Sequence, residues 1–291
     1  MKFGIYPNLE KKDLKQPLFQ LLKILRSENI SYTLPEEMKP GIEALGFENE
    51  CYEPTVSMGE KDVILSIGGD GSFLGAARIF RNSPVLMAGI HLGELGFLNT
   101  ITCEDMERRI HMILDHDFLE ESRIYLSSFI LKQGAERKEL PDVLNDVVIG
   151  HDQIGRLTRL RFSLNGHFIQ EYAADGLIVS SPTGSTGYSL SCGGPVLGPE
   201  DDHMIVIPIC AHTLQRFPIL LKNKDTIEIT APEREGNLHI SLDGAYDEEF
   251  DNSDRLIIRA VSKPIRFIRF KDQEFFSGIS RKLIRKIFEN Q

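Results

Sequence analysis

The first third of the chain alternates between short apolar runs of strand length and segments whose apolar residues recur with the period of a helix. Strands are predicted at residues 2–6, 31–34, 63–67 and 85–90. Helices are predicted at residues 14–28, 36–45 and 104–114, and in the first of them one face carries Leu18, Leu21, Leu22 and Leu25. Strands that alternate with helices predict an α/β domain with a Rossmann-like parallel sheet covered on both faces.

The pattern changes near residue 120, where short predicted strands follow one another and helical periodicity largely disappears. The pair Asn165-Gly166, between apolar runs at 160–164 and 167–170, is a strong signal for a type I′ hairpin. Further strands are predicted at residues 177–181, 205–209, 226–230, 238–242, 255–261 and 265–270. The second part of the chain is therefore expected to form an antiparallel all-β, sandwich-like domain.

A last helix is predicted at residues 280–288, where an apolar face carries Leu283, Ile284, Ile287 and Phe288. This helix is expected to pack back on the first domain. The predicted organisation is an α/β domain at residues 1–120, joined by the C-terminal helical segment 271–291, and a β domain at residues 121–270 that binds the ligand.

Composition narrows the range of partners and compartments. The 291 residues carry a formal net charge of −10, from 33 basic and 43 acidic side chains, which argues against nucleic acid or an anionic membrane as a partner. No apolar run reaches membrane-spanning length, and the first residues lack the profile of a signal peptide. Four cysteines without Cys-x-x-Cys spacing are expected to be reduced thiols of a cytoplasmic protein.

The strand at residues 63–67 runs directly into Gly68-Gly69-Asp70-Gly71, and an Ala- and Leu-rich helix follows. A strand that turns tightly into a helix leaves the first N–H groups of the helix unpaired, at the positive end of its dipole. Such a turn can bind a phosphate group, and glycines allow its close approach. The turn lacks the Lys-Ser/Thr pair of a P-loop. The Gly-x-Gly-x-x-Gly dinucleotide motif has no carboxylate at the position of Asp70.

Asp70 has two interpretations. A carboxylate repels a phosphate group, but it can accept a proton from a hydroxyl group that attacks the phosphorus atom. Aspartate is also a common capping residue at the start of a helix. The spacing alone leaves the catalytic base and the helix cap equally open.

A second glycine-rich stretch, residues 174–195, contains a predicted buried strand of the β domain that runs into a loop. Its loop at residues 182–191 is rich in Ser, Thr and Gly, whose hydroxyl and backbone groups can surround a polar ligand. The alternative is an ordinary surface loop. The length of the loop and its density of small residues favour binding.

Four motifs, in this order, resemble those of the NAD kinase family. They are Gly68-Gly69-Asp70-Gly71, Leu144-Asn145-Asp146, the run from Asp175-Gly176-Leu177 to Ser191, and Asp243-Gly244. The segment Gly93-x-Leu95-Gly96-Phe97-Leu98 fits the same family. The first motif is shared with lipid kinases and phosphofructokinases, whereas the run that contains Thr183-Gly184-Ser185-Thr186 is far more specific. The resemblance covers residues 63–245.

The resemblance implies an enzyme that transfers the γ-phosphoryl group of ATP, or of a similar donor, to the adenosine 2′-hydroxyl of NAD, with Asp70 as general base. The residues that it implies for nucleotide binding are Gly71, Phe97, Asn145, Asp146, Arg156, Asp175, Thr186, Gly187, Tyr188, Ser189, Leu190 and Ser191. A divalent metal, Mg²⁺, is expected to arrive with ATP, and no resident metal site is predicted. The resemblance also implies a homo-oligomer, either a dimer or a tetramer.

The chain departs from the family pattern at Ala173, at Ala245 and at Arg216-Phe217. These positions bear on how the distal part of NAD is held, and the choice between NAD and NADH stays open. Two other functions also remain: a lipid kinase, against which the loop at residues 182–191 argues, and a dinucleotide sensor without turnover, against which Asp70 argues.

Overall fold

The computed structural model describes residues 1–93, 96–132, 134, 136–151, 157–212, 216–231, 238–261 and 264–276. The helix predicted at residues 280–288 lies outside these residues, and so does Arg156. Within the described part of the chain, no helix combines the length and the hydropathy that are needed to cross a membrane.

The chain divides into two compact units. Unit 1 is Met1–Ser122 together with the chain from Ile265 onward, and unit 2 is Arg123–Pro264. Strands and helices largely alternate over the first 123 residues, in the order β1 (Lys2–Pro7), α1 (Lys15–Ser27), β2 (Ser31–Pro35), α2 (Lys39–Ala44), β3 (Tyr52–Glu53), β4 (Val63–Gly68), α3 (Asp70–Phe80), β5 (Leu86–His91), α4 (Met106–Leu114) and β6 (Leu119–Arg123).

The rest of the chain consists mainly of strands. They are β7 (Leu126–Leu131), β8 (Arg137–Glu139), β9 (Asp146–His151), β10 (Thr158–Leu164), β11 (His167–Ala174), β12 (Gly176–Ser180), β13 (His203–Ile209), β14 (Ile219–Lys222), β15 (Thr226–Thr230), β16 (Leu238–Leu242), β17 (Tyr246–Phe250), β18 (Arg255–Ala260) and β19 (Ile265–Arg269). One short helix, α5 (Tyr188–Ser191), lies between β12 and β13. This order confirms the predicted change from α/β to β along the sequence.

Unit 1 contains a seven-stranded sheet in the order β3-β2-β1-β4-β5-β19-β6. The pairs from β3 to β19 are all parallel. The predicted apolar face of α1 is buried in one core with residues of β1, β4, β5 and α4. Because both faces of such strands are covered, β4 is apolar along almost its whole length and fully buried. The predicted parallel sheet is confirmed.

Strand β19 corrects one prediction. The sequence pattern places residues 265–270 among the antiparallel strands, but β19 pairs in parallel with β5 in the sheet of unit 1. Ile268 belongs to the core that contains α1, whereas the ring of Phe267 packs edge-on against Phe73 of α3, with centroids 4.8 Å apart. A strand that is buried on both faces fits the parallel sheet, and apolar periodicity alone cannot identify the sheet to which a strand belongs.

Unit 2 consists of two antiparallel six-stranded sheets, in the orders β11-β10-β15-β18-β7-β8 and β14-β13-β12-β9-β16-β17. One apolar cluster joins Phe162 of the first sheet to Val179 and Val206 of the second, so the two sheets pack face to face as predicted for a sandwich. The hairpin between β10 and β11 turns at Asn165 and Gly166, which have φ values of +51° and +81°. Both values are those of a type I′ turn.

The strands that the sequence pattern does not predict include one edge strand of each sheet of unit 2. Strand β8 is Arg-Lys-Glu and wholly exposed, and β17 is Tyr-Asp-Glu-Glu-Phe. Charged edge strands protect a sheet from pairing with another chain, but they lack the apolar alternation that marks a half-buried strand. Sequence periodicity therefore underestimates the width of both sheets.

Candidate functional site

The turn from β4 into α3 carries the Gly68-Gly69-Asp70-Gly71 motif. Strand β4 is buried up to Gly68, and Asp70 is the first residue of the helix. The hydroxyl oxygen of Ser72 accepts hydrogen bonds from the backbone N–H of Gly69, at 3.3 Å, and from the side-chain amide of Asn8, at 2.7 Å. These bonds tie the start of the helix to the end of β1 and so fix the position of Asp70.

The Asp70 carboxylate is bound by a neighbouring loop. Its Oδ2 atom accepts the backbone N–H of Phe97 at 2.5 Å. Its Oδ1 atom accepts the N–H groups of Leu98 and Asn99 at 3.2 and 3.4 Å, and the side-chain amide of Asn99 at 3.0 Å. These bonds join Asp70 to a segment almost 30 residues away, which a simple helix cap does not explain.

Gly96 makes this arrangement possible. A Cβ atom at position 96 would lie 1.9 Å from Oδ1 of Asp70, so a side chain there would displace the carboxylate. The amide of Asn99 is itself buried, with 3% of the residue exposed, and a Cβ atom at Gly89 would lie 1.9 Å from its Oδ1. The two glycines thus leave room for the Asp70–Asn99 contact.

The other predicted residues of unit 1 lie around the same carboxylate. Gly71 is exposed in the first turn of α3, and a Cβ atom placed there would meet nothing within 4 Å. Phe97 is half-buried, and its backbone N–H binds Asp70. Open space above Gly71 next to a fixed carboxylate suits the approach of a ligand.

In unit 2 the turn between β16 and β17 holds a second fixed carboxylate. Asp243 and Gly244 have left-handed φ values of +51° and +62°. The carboxylate of Asp243 accepts the backbone N–H of Leu144 at Oδ2 and those of Asn145 and Asp146 at Oδ1, at 3.0, 2.8 and 3.1 Å. The N–H of Asp243 in turn donates to the carbonyl of Asp146 at 3.1 Å. This turn therefore sets the position of the predicted Asn145-Asp146 motif.

Asn145 and Asp146 lie at the start of β9 with unusual surroundings. Burial, together with the charge of the neighbouring Asp243, raises the pKa of Asp146 to about 7. Within the described part of the chain, the side-chain oxygen of Asn145 is buried and has no hydrogen-bond partner. A buried polar atom without a partner is uncommon and suits a position that awaits a ligand group.

The loop at residues 181–187 packs on the same segment. The backbone N–H of Ser181 donates to the carbonyl of Asn145 at 2.8 Å, and its hydroxyl group donates to the carbonyl of Leu144 at 2.5 Å. A Cβ atom at Gly184 would lie 2.2 Å from the carbonyl oxygen of Asn145. The glycine therefore allows a closer approach of the two backbones than any other residue could.

The end of this loop meets the side chains of the motif. A Cβ atom at Gly187 would lie 3.6 Å from the amide nitrogen of Asn145 and 3.9 Å from Oδ2 of Asp146. Tyr188 is 47% exposed, and its pKa is raised first by burial and then by neighbours that include Asp146 and Asp175. The structure thus brings together five of the predicted residues of unit 2, which are Asn145, Asp146, Asp175, Gly187 and Tyr188.

The remaining predicted residues of the loop have different settings. The hydroxyl group of Thr186 donates to the carbonyl of Thr183 at 3.2 Å, within the 3₁₀ helix Thr183–Thr186. Among the described residues, the buried hydroxyl oxygen of Ser189 has no hydrogen-bond partner. Leu190 is half-buried and Ser191 is exposed at the end of α5.

Two residues of the site were missed by sequence reasoning. Asn99 binds Asp70 through its side chain, and Arg123 donates to the hydroxyl oxygen of Thr183 at 3.1 Å from a buried position. Nothing in the local sequence indicates either contact, since each partner is remote along the chain. The importance of Asp243 could be inferred from its motif, but its three N–H partners could not.

Two family models match this chain. The family model described as the ATP-NAD kinase N-terminal domain matches residues 10–118, and that of the ATP-NAD kinase C-terminal domain matches residues 144–270. The chain is 31% identical to an NAD kinase of Desulforamulus reducens over 280 residues, 96% of either chain. It is 34% identical to an NAD kinase of Marinobacter nauticus over 284 residues, 96% of this chain and 95% of that one.

Two solved structures share the fold. The crystal structure of yeast NADH kinase complexed with NADH has a TM-score of 0.87 at 20% identity, over 97% of this chain and 87% of that chain. An NAD kinase from Archaeoglobus fulgidus in complex with ATP has a TM-score of 0.75 at 22% identity, over 97% and 98% of the two chains. At these identities the likeness concerns the fold, whereas the sequence matches identify the family. The chain belongs to the ATP-NAD kinase family and is a phosphotransferase.

Proposed function

We propose that this chain transfers the γ-phosphoryl group of ATP, or of a similar donor, to the adenosine 2′-hydroxyl of NAD, which gives NADP. The observation that carries the proposal is the Asp70 carboxylate, held by the N–H groups of Phe97, Leu98 and Asn99 in a chain of this kinase family. The two solved structures of the same fold contain NADH and ATP, which supports these two classes of substrate.

Asp70 is the proposed general base. The 2′-hydroxyl oxygen attacks the γ-phosphorus atom, its proton passes to Asp70, and the bond from that phosphorus to the β,γ-bridging oxygen breaks and releases ADP. Among the described residues, Oδ1 of Asp70 receives three donors and Oδ2 receives one, from Phe97. Since a carboxylate oxygen has two lone pairs, Oδ2 has room for the proton.

The dinucleotide is proposed to bind to the residues around the start of β9. The side-chain oxygen of Asn145 and the hydroxyl group of Ser189, both buried, suit hydrogen bonds to ribose hydroxyl groups or to the edge of adenine. Tyr188 exposes part of its ring, and Asp175 lies near it at the start of β12. Aromatic rings and small polar groups of this kind recognise purine nucleosides by stacking and by hydrogen bonds.

Magnesium is proposed to enter as part of the donor substrate, bound to the phosphates of ATP. Among the described residues, Asp201, Asp202 and His203 form a group with the spacing of metal ligands. Asp202 is paired with Lys222 at 3.1 Å, and the ring of His203 contacts Asp201 at 2.5 Å. Lys222 and His203 therefore already bind these carboxylates, so no resident metal is proposed.

Association into a homo-oligomer, a dimer or a tetramer, is proposed from the strand edges of unit 2. Phe168 on the edge strand β11 and Phe217, just before the edge strand β14, are 62% and 72% exposed. Large apolar side chains beside unpaired strand edges favour contact with another chain. Light scattering at the assay concentration measures the mass, and a monomer would contradict this part of the proposal.

All four cysteines of the chain are free thiols. Unpaired cysteines are typical of proteins in a reducing compartment. We therefore propose that the enzyme acts in the cytoplasm, which cell fractionation can test.

The first experiment is a coupled assay of NADP formation from NAD, ATP and Mg²⁺ for the wild type and for Asp70→Asn. Asparagine keeps the shape of the side chain but cannot take the proton, so kcat should fall by about 10²–10⁴-fold. The Kd for NAD should stay within about twofold of the wild type, because the proposed dinucleotide residues lie in unit 2. Asp13→Asn, which changes an exposed aspartate of unit 1, serves as the matched control.

The outcomes separate the alternatives. Nearly intact turnover in Asp70→Asn would refute the assignment of the base. A wild type that binds NAD but forms no NADP would favour a sensor. Phosphorylation of diacylglycerol or of a sphingoid base, in place of NAD, would favour a lipid kinase.

A further inference from the structure

Asp243 carries a fixed negative charge next to the proposed dinucleotide site. Its two carboxylate oxygens accept three backbone N–H groups, those of Leu144, Asn145 and Asp146. Hydrogen bonds donated to both oxygens stabilise the ionised form of a carboxylate. The backbone of residues 144–146 therefore fixes the position of the Asp243 carboxylate.

Asp146 lies beside this charge in a buried position. Only 6% of the residue is exposed, and its own backbone N–H is one of the three donors to Asp243. A second ionised carboxylate here would lose its hydration and would be repelled by Asp243. Both effects raise the pKa of Asp146 to about 7.

The described groups that face Asp146 from the loop after β12 are acidic or neutral. Tyr188, the first residue of α5, and Cys192, which directly follows this helix, both interact with Asp146, and Tyr188 also interacts with Asp175 and Cys210. Burial is the largest cause of the raised pKa values of Tyr188 and Cys192, so both side chains are neutral near pH 7. None of these groups compensates a negative charge on Asp146.

We propose that Asp146 enters the dinucleotide site as a neutral carboxylic acid that donates a hydrogen bond to NAD, because the fixed charge of Asp243 excludes a second charge beside it. This inference rests on the proposed function, which assigns the dinucleotide to this site. The neutral carboxyl group can donate its O–H to a ring nitrogen of adenine or to a ribose oxygen, whereas the ionised group can only accept. Protonation also removes one negative charge from the surroundings of an anionic pyrophosphate.

The consequence is that NAD binding takes up a proton above neutral pH. If only the protonated form of Asp146 binds, the Kd for NAD rises by up to about tenfold for each pH unit above the pKa of this group. NAD is the ligand for this test, because the 2′-phosphate of NADP titrates near pH 6 and would add its own pH dependence.

The test is isothermal titration calorimetry of NAD binding between pH 6 and pH 9, in buffers that differ in ionisation enthalpy. The wild type should bind roughly 100-fold more weakly at pH 9 than at pH 6, and should take up about one proton per NAD at pH 8. Asp146→Asn supplies a donor that is neutral at every pH, so its Kd should be flat and its proton uptake should vanish. Asp247→Asn removes an exposed carboxylate of β17 and should behave as the wild type does.

The results separate this inference from the proposed function. A wild-type Kd that is flat from pH 6 to pH 9, without proton uptake, would overturn the inference while NAD binding and NADP formation persist. No NAD binding at any pH, together with no NADP formation, would refute the proposed function and the inference with it. Should Asp146→Asn fail to fold, the proton uptake of the wild type at pH 8 decides the question by itself.

Discussion

Two carboxylates, one in each unit, bind three successive backbone N–H groups of a distant segment. Asp70 in unit 1 accepts those of residues 97–99, and Asp243 in unit 2 accepts those of residues 144–146. Successive N–H groups can form a concavity that attracts an anion. In each unit this concavity is occupied by an aspartate side chain from a glycine-containing turn. The turn of Asp70 starts a helix, whereas the turn of Asp243 closes a hairpin.

The two carboxylates differ in what stands next to them. Asp70 lies at the start of α3 beside the open space above Gly71, so it can meet a bound molecule. Asp243 binds the backbone at both oxygens, and the side chains that it sets in place are those of Asn145 and Asp146. The same arrangement therefore orients a candidate reactive group in unit 1, whereas in unit 2 it orients a candidate binding segment.

The largest effect is expected from breaking the unit 1 arrangement at Gly96. In Gly96→Ala the new Cβ atom would lie 1.9 Å from Oδ1 of Asp70, so the carboxylate must leave its N–H partners. Misplacement of a reacting group by about 1 Å can cost 10²-fold in rate, so kcat should fall by about 100-fold with little change in the Kd for NAD. Steady-state kinetics and calorimetry measure the two quantities.

The control for this variant is Gly75→Ala on α3, where a Cβ atom would meet nothing within 4 Å. Alanine favours a helix over glycine by about 1 kcal/mol, so this variant should be active and slightly more stable. If Gly96→Ala had the same kcat as Gly75→Ala, the position of Asp70 would not matter for turnover.

A smaller and different effect is expected from Asp243→Ala. The change removes the acceptor of three N–H groups, each of which costs about 1–3 kcal/mol when it is buried without a partner. Since 1 kcal/mol corresponds to about 2–4 °C for a chain of this size, Tm should fall by several degrees. The KM for NAD should rise by about tenfold, while kcat at saturating NAD should change little.

Asp243→Asn sharpens the comparison, because asparagine tolerates the left-handed backbone at this position and keeps one acceptor oxygen. It should recover part of the Tm and part of the NAD affinity that Asp243→Ala loses. Equal losses of kcat and of NAD affinity in the alanine variant would contradict a role confined to the binding segment.

The smallest effect on catalysis is expected from the last prediction, which is a pH dependence of stability that belongs to unit 2. The pKa of Asp146 is about 7 in the folded chain and about 3.9 in an unfolded chain, so the folded chain holds a proton that the unfolded chain releases. The stabilisation is therefore full below about pH 4, and it declines by up to about 1.4 kcal/mol per pH unit until it is lost above about pH 7.

Thermal unfolding of the wild type and of Asp146→Asn between pH 4 and pH 8.5 measures this contribution. The Tm of the wild type, taken relative to that of the variant, should fall as the pH rises towards 7 and then level off. A constant difference across this range would show that Asp146 is ionised in the folded chain.

Much of the fold could be predicted because its signals are local. The apolar face of α1, the run of β4 and the Asn165-Gly166 hairpin each follow from a few neighbouring residues, and the structure confirms them. Edge strands β8 and β17 escaped prediction because their residues are charged. Strand β19 was assigned to the other unit because an apolar run does not encode its partner strand.

By itself, the sequence determined where the glycine-rich turns lie, that Asp70 starts a helix, and to which family the motifs belong. It left the interpretation of Asp70 open, because the N–H groups that bind this residue come from 27 to 29 positions further along the chain. The contacts of Asp243 span 97 to 99 positions, and they place Asp146 beside a second carboxylate. Hydrogen bonds and charges act through space and not along the chain, so only the tertiary structure decided which groups surround each carboxylate.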